Sequence, residues 1–216
     1  KRALSQKKKI KYSNLIELSK IYYEEKFETY GDSPQGVNWR DAKTQELRFK
    51  ELLGLGRLEG NTIHEVGCGL AHLYDYINKI GINTNYIGTD ISNTMIAGAR
   101  QRLGVGVSLY STNILDLNRE EVIADYVVSS GLFSVKGEAR DVEWWSFVSA
   151  MIKRMFELCN KGIGFNLMTS YVDYKEPHLF YKSPAEVFDF CMEELGKRVV
   201  LKHDYPLWEY TVYVYK

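Results

Sequence analysis

Glu65, Gly67 and Gly69 stand together in HEVGCGLAHLYDYI, positions 64–77, an acidic residue just ahead of two glycines one residue apart. Glycine lacks a Cβ, so such a loop can turn tightly and let a ligand approach its backbone. Asp90 follows 23 positions after Gly67, at the close of TNYIGTD. A carboxylate there can accept hydrogen bonds from both hydroxyls of a ribose. A Gly-x-Gly turn alone has a purely steric explanation, but with the acid at this separation the pair fits an adenosine site. A dinucleotide fits less well, because its Gly-x-Gly-x-x-Gly/Ala fingerprint needs a small residue where His72 stands. A pyrophosphate also gains nothing from Glu65 nearby, whereas a ligand with a positive centre, no phosphate and an amino-acid tail suits an acidic loop.

Positioning these residues requires strands that end at the loop and at Asp90. TIHEV is short, partly β-branched, and closes at Gly67; TNYIGTD is a second strand. VSLYST, ADYVVSS and GIGFNLMTS read as the third, fourth and fifth. Helices alternate with them: Ala71 to Ile80, a helix capped by Ser92 and running to Leu103, and a third with Trp144, Val148, Met151, Ile152, Met155 and Cys159 on one apolar face, closed by Gly162. SPAE starts another, with Ser183 as N-cap, Pro184 at N1 and Glu186 placed to complete a capping box. RVVLKHDY and WEYTVYVYK, separated by Pro206, read as an antiparallel pair. Before all this, Leu15, Ile16, Leu18, Ile21 and Tyr22 form one apolar helix face, and a second helix runs roughly from Asp41 to Leu53. The alternation predicts an α/β fold, a Rossmann-like, mostly parallel seven-stranded sheet with helices on both faces, an antiparallel last strand and a helical N-terminal extension.

HEVGCGLAHL, YIGTDISNTMIAGAR, STNILDL and ADYVVSSGLF, in this order and spacing, resemble the successive motifs of the class I S-adenosylmethionine-dependent methyltransferases. The resemblance covers about Asn61 to Lys216, with Ala71 in place of the third glycine of the family's loop. It implies a domain over residues 61–216, with residues 1–60 as an extension covering the cofactor site, and S-adenosyl-L-methionine as the cofactor. By the same resemblance, Glu65, Gly67, Cys68 and Gly69 line the methionine and ribose portion and Asp90 holds the ribose hydroxyls. Ile91 and Met95 pack on the adenine, with Ile114 beside it. Asn113 stands where the family often has an Asp for the adenine amino group, with Asp116 as the alternative alignment. Ser129, Ser130 and Gly131 lie beneath the sulfonium. In similar small enzymes the helices ahead of the sheet fold over the cofactor, so Trp39 offers an aromatic wall and Arg48 a partner for the methionine carboxylate. A Trp in a helix contact and an Arg in solvent remain equal alternatives.

Methyl transfer is an in-line displacement that needs a positioned nucleophile and, for an amine or hydroxyl, a base. The loops after the fourth and fifth strands contain Phe133, Lys136, Tyr171, Asp173, Tyr174, His178 and Tyr181. His178 is the candidate base, with Asp173 to orient it and Tyr171 beside them; His203–Asp204 is a second pair, and an exposed histidine in a polar loop is the plain alternative. No Asp/Asn-Pro-Pro-Tyr/Phe motif follows the fourth strand, where SSGLF stands, and no pair of glutamates marks a guanidinium clamp. The expected acceptor is a small molecule or a carbohydrate-linked intermediate, methylated on oxygen or nitrogen. A nucleotide-dependent oxidoreductase and a non-catalytic binding domain of the same fold remain competing readings.

Composition sets the outer limits. Basic and acidic residues both total 28, so no net charge recruits nucleic acid or an anionic membrane; the basic start KRALSQKKKIK is best read as a solvated tail. No apolar run reaches membrane-spanning length. Cys68, Cys159 and Cys191 lack metal or disulfide spacing, which fits a reducing cytoplasm and no metal site. The sequence leaves room for further domains in a longer chain.

Overall fold

The structure, a computed structural model, describes residues 2–33, 41–117 and 124–216. Two helices come first, α1 (Arg2–Tyr30) and α2 (Ala42–Leu53). Asp41 begins α2 by accepting the Thr44 amide at 2.8 Å, which satisfies one of the donors a helix start leaves open. Then β1 (Thr62–Val66), α3 (His72–Lys79), β2 (Asn85–Asp90), α4 (Asn93–Leu103), β3 (Ser108–Ser111) and β4 (Ala124–Ser129) alternate. They are followed by α5 (Asp141–Leu158), β5 (Cys159–Thr169), β6 (Tyr181–Lys182), α6 (Pro184–Glu194), β7 (Arg198–Lys202) and β8 (Glu209–Tyr215).

The sheet has the order β3-β2-β1-β4-β5-β8-β7, with β6 attached to β5. β1 to β5 are parallel, whereas β8 runs antiparallel to β5 and β7 antiparallel to β8. The seven expected strands are all present, and the two-residue β6 makes an eighth. Because the order reverses between β2-β1 and β1-β4, a crevice opens beyond the carboxyl ends of these strands. The antiparallel β8 starts at that same edge, with Glu209 opposite Met168 near the end of β5.

Side chains alternate between the two faces of the sheet and build a core on each. On one face, Ile163, Phe165 and Leu167 of β5 and Tyr210, Val212 and Val214 of β8 pack with α5, α6 and α1. α5 buries Trp144, Phe147, Val148, Met151, Ile152, Met155 and Leu158 there, each contributing about 1.5–3 kcal/mol. On the other face, Phe49, Leu52 and Leu53 of α2, Leu73 and Ile77 of α3, and Ile96 and Ala99 of α4 pack against Ile63, Tyr126 and Val128. α2 crosses β5 closely at Gly164, where even a Cβ would come within 3.3 Å of Leu52.

Two local expectations differ from the structure. The chain passes from α5 directly into β5 at Cys159, so Gly162 lies inside the strand rather than closing the helix. Ser183 and Pro184 do stand at N-cap and N1 of α6, but the Ser183 side chain makes no cap bond, and Glu186 pairs instead with Lys182 at 2.9 Å. Ser92, by contrast, caps α4 as expected, accepting the Met95 amide at 3.1 Å. Among the described residues, no helix is long and apolar enough to cross a membrane and no cluster could hold a metal ion.

Candidate active site

The glycine loop takes its shape from backbone conformations that side chains disfavour. Gly67 has φ +71, and a Cβ there would meet Leu132 at 2.8 Å; Gly69 has φ 52. At the position of the family's third glycine, Ala71 keeps a left-handed φ of 60 at the start of α3, so the turn survives with a small residue. Asp90, at the end of β2, ties this loop to the neighbouring one. Its Oδ2 accepts the Gly69 amide and its Oδ1 the Ser92 amide, both at 2.9 Å. A carboxylate has about four acceptor positions, so roughly two remain for incoming hydroxyls. Burial raises the Asp90 pKa, partly opposed by the nearby backbone amides of Ser92, Gly69 and Ile91.

Glu65 sits below the loop and is buried. Its Oε2 accepts the Tyr86 hydroxyl, yet burial dominates and pushes its pKa up to about 8, helped by the Asp90 charge. Burial therefore favours the protonated form of this carboxyl. Beside it, His64 is fully buried, bonds Thr89 Oγ1 through Nε2 at 2.8 Å, and is held neutral, its pKa lowered to about 4 by burial.

These groups line one cavity of about 420 Å³, within the range typical of small-molecule sites. Of the sequence-derived cofactor residues, Arg48, Glu65, Gly67, Cys68, Gly69, Asp90, Ile91, Met95, Asn113, Ile114 and Ser130 all line it. Ser129 is buried behind the wall, Asp116 does not reach the cavity, and Trp39 lies outside the described residues. The Asn113 Oδ1 accepts the Leu115 amide at 3.1 Å, which fixes the side chain and leaves one lone pair of that oxygen uncommitted. The Ser130 hydroxyl is buried without a hydrogen-bond partner among the described residues. Spare acceptor positions on Asp90, an orphaned Ser130 hydroxyl and a loop that excludes any Cβ at Gly67 fit a nucleoside with a polar tail. α1 adds Ile16, Ser19, Lys20 and Tyr23 to the wall, and α2 adds Thr44, Gln45 and Phe49 beside Arg48.

The three sequence-derived catalytic residues are placed elsewhere. His178, Asp173 and Tyr171 are exposed and absent from the cavity wall, although Leu179 reaches it. The backbone turns them outward: the His178 carbonyl accepts the amides of Lys136 and Gly137 at 3.0 and 3.1 Å, while its side chain stays at the surface. His203 is also exposed, against the rings of Tyr171 and Tyr210. His72 does line the cavity, where Nε2 pairs with Asp32 at 2.8 Å and Nδ1 faces Gln45 at 3.3 Å.

Arg48 and Glu209 form a pair that the sequence did not disclose. The Arg48 guanidinium lies in ion-pair contact with Glu209, which is 4% exposed and lines the same cavity. Asn166 of β5 donates to Glu209 Oε2 at 2.5 Å and accepts the Gly131 amide at 2.7 Å. Burial raises the Glu209 pKa, opposed by the Arg48 charge and the Asn166 bond. The one sequence signal for Glu209 is an acid leading an otherwise apolar and aromatic strand.

Residues 63–162 match the model of the methyltransferase domain family. Rv1506c of Mycobacterium tuberculosis (strain ATCC 25618 / H37Rv), provisionally named a methyltransferase, is 34% identical over 157 residues, covering 72% of this chain and 93% of that protein. In fold, the chain is similar to magnesium protoporphyrin IX methyltransferase (ChlM) from Synechocystis PCC 6803, crystallised with bound S-adenosylmethionine. The TM-score is 0.58 at 16% identity, over 81% of this chain and 78% of that one. N-methyltransferase NodS from Bradyrhizobium japonicum WM9 also has a TM-score of 0.58 at 16% identity, over 81% and 97% of the two chains.

Proposed function

The chain belongs to the class I S-adenosylmethionine-dependent methyltransferases, and from that premise we propose that it methylates an oxygen or nitrogen of a small molecule or carbohydrate-linked intermediate. Membership favours a methyltransferase over the oxidoreductase, and the intact Glu65–Gly67–Gly69–Asp90 set supports an enzyme over a non-catalytic domain. One observation carries the acceptor's scale: a single cavity of about 420 Å³ serves both the Asp90 end and the Arg48–Glu209 end. A volume of this size suits the reactive portions of two small ligands, not a polymer laid across a groove.

S-adenosylmethionine supplies an electrophilic methyl group on a positively charged sulfur. The chain's residues bind and orient around it. Asp90 takes the ribose hydroxyls, Gly67 and Gly69 allow close approach, and Ile91, Met95 and Ile114 enclose the adenine beside Asn113. Ser130 offers its unpaired hydroxyl near the methionine portion. Arg48, already charge-balanced by Glu209, faces the acceptor half in place of the methionine carboxylate. α1 and α2 act as a cover, excluding water and holding the acceptor near attack distance.

Methyl-tritiated S-adenosylmethionine tests this when incubated with the protein and a cell extract split at about 1 kDa. Label in the small-molecule fraction, or in saccharide-linked material, is the expected outcome. Label found only in protein or nucleic acid sinks the proposal.

A further inference from the structure

Glu209 lines the same cavity as the glycine loop and Asp90, entering it from the start of β8. Asp90 lies at the end of β2, four strand positions from β8, on the order of 19 Å at the usual strand spacing. Gly131 follows β4, between them. Asn166 bridges from its amide to Glu209 Oε2, so the carboxylate is separated from the Gly131 backbone by the width of one amide group. Because Asn166 Oδ1 is committed to an N–H, its Nδ2 must face Glu209, and the carboxylate is fixed as an acceptor. Glu209 Oε1 is in ion-pair contact with the Arg48 guanidinium, which occupies one of its two lone pairs. A buried carboxylate oxygen that borders the cavity with its second lone pair uncommitted can accept from a donor on a ligand.

The other carboxyl and imidazole groups of the wall flank the glycine loop rather than β8. Glu65 is tied to Tyr86, Asp90 to the Gly69 and Ser92 amides, and His72 to Asp32 and Gln45. Around Glu209 the charges cancel: Arg48 of α2 neutralises it, and Tyr205, whose hydroxyl bonds Thr211 at 2.8 Å, is the titratable neighbour before β8. An ammonium gains little from this neutral pair. Next in sequence, Trp208 lines the same cavity yet is 60% exposed, with Pro206, Leu207 and Leu179 around it. A flat aromatic face left open at the rim suits a ring.

We infer that Glu209 is the group that receives the acceptor's proton, and that the acceptor is a neutral hydroxyl carried on a ring that lies against Trp208. This rests on the small-molecule methyltransferase reading above. In the step, the hydroxyl oxygen forms its bond to the methyl carbon as the methyl–sulfur bond breaks, its electron pair passing to sulfur. The O–H proton goes to Glu209 Oε1, which later gives it to water. The buried environment raises the carboxyl's proton affinity, bringing it nearer the range useful for a base at neutral pH.

The test uses the full chain with p-nitrophenyl glycosides, simple phenols and benzylamine as probes, following release of S-adenosylhomocysteine. Calorimetry first checks that Glu209→Gln binds S-adenosylhomocysteine within about twofold of wild type, a readout independent of turnover. Transfer to a hydroxyl probe is expected. Glu209→Gln should lower kcat about 10²–10⁴-fold with KM little changed and abolish the acid limb of the kcat–pH profile. Trp208→Ala should raise KM about 10-fold while keeping kcat. Glu209→Asp retains a charge for Arg48, so it keeps the acid limb at lower kcat even if the Gln variant folds poorly. The inference is overturned by kcat within threefold of wild type in folded Glu209→Gln, by transfer to benzylamine alone, or by no transfer to any hydroxyl probe from a protein that binds S-adenosylhomocysteine. A wild-type chain that binds neither sulfur compound would instead remove the reading beneath it.

Discussion

Replacing Asp90 with Ala separates a ligand-holding carboxylate from one that only braces a loop. The side chain gives two acceptor positions to the Gly69 and Ser92 amides, each at 2.9 Å, and keeps about two for ribose hydroxyls. Hydrogen bonds to a charged group contribute about 1.5–3 kcal/mol each, so losing two weakens binding by about 3–6 kcal/mol. At 1.4 kcal/mol per decade, Kd for S-adenosylhomocysteine should rise about 10²–10⁴-fold. Stability should fall far less. Two amides lose their partner, at about 1–3 kcal/mol each, but a buried carboxylate whose burial opposes its ionised form also disappears. The net change is on the order of 1–3 kcal/mol, small enough for the fold to persist. Calorimetric titration at 25 °C, with a thermal melt on the same sample, measures both quantities. S-adenosylhomocysteine is the right titrant because no methyl group can be consumed. Asp90→Asn, with one acceptor oxygen left, should fall between Ala and wild type. If Asp90→Ala binds within about threefold of wild type while folded, Asp90 braces the loop and does not hold the ribose.

Two further outcomes can be checked on the same preparations. Gly67→Ala forces a side chain to adopt φ +71 and brings its Cβ within 2.8 Å of Leu132, so stability should drop by about 1–2 kcal/mol in urea titrations, and Kd for S-adenosylhomocysteine should rise at least tenfold as the loop shifts. The pH dependence of stability should show two opposed slopes. Glu65, raised from 4.5 to about 8, stabilises the fold fully below pH 4.5 and progressively loses that contribution up to about pH 8. His64, lowered from 6.5 to about 4, contributes fully above pH 6.5 and loses its contribution as pH falls to about 4. The slopes offset each other between pH 4.5 and 6.5, leaving a decline in stability from pH 6.5 to 8 that should vanish in Glu65→Gln. An unchanged decline in that variant assigns it to other groups.

The glycine-loop end of the cavity was readable because its determinants are local. Glu65, Gly67 and Gly69 fall within a single turn, and Asp90 ends the adjacent strand, so spacing along the chain translates directly into spacing in the fold. Arg48, Asn166 and Glu209 meet only because β5 and β8 are neighbours and α2 crosses over them, and no local spacing records that. His178 was favoured for its side-chain chemistry, but the loop carrying it bonds inward through its backbone and turns the imidazole to solvent. The α6 start shows a similar limit. The motif placed Ser183 and Glu186 correctly, while the competing charge on Lys182 decided the actual partner. At the α5–β5 junction, the apolar periodicity extends through Cys159, but pairing of that residue with Ala124 of β4 ends the helix first.

The antiparallel seating of β8 also bears on how such a chain diversifies. The residues proposed to face the ribose and adenine fall between Glu65 and Ile114, inside the stretch 63–162 that matches the family. Arg48, Met168, Leu179, Trp208 and Glu209 all come from outside that stretch, threaded in from the chain's two ends. Mutations can therefore accumulate in the outer segments, reshaping what is methylated, while the inner segment keeps the same methyl donor. Orthologues with one shared acceptor should agree at positions 48, 208 and 209, and paralogues that have drifted to new acceptors should part company there first.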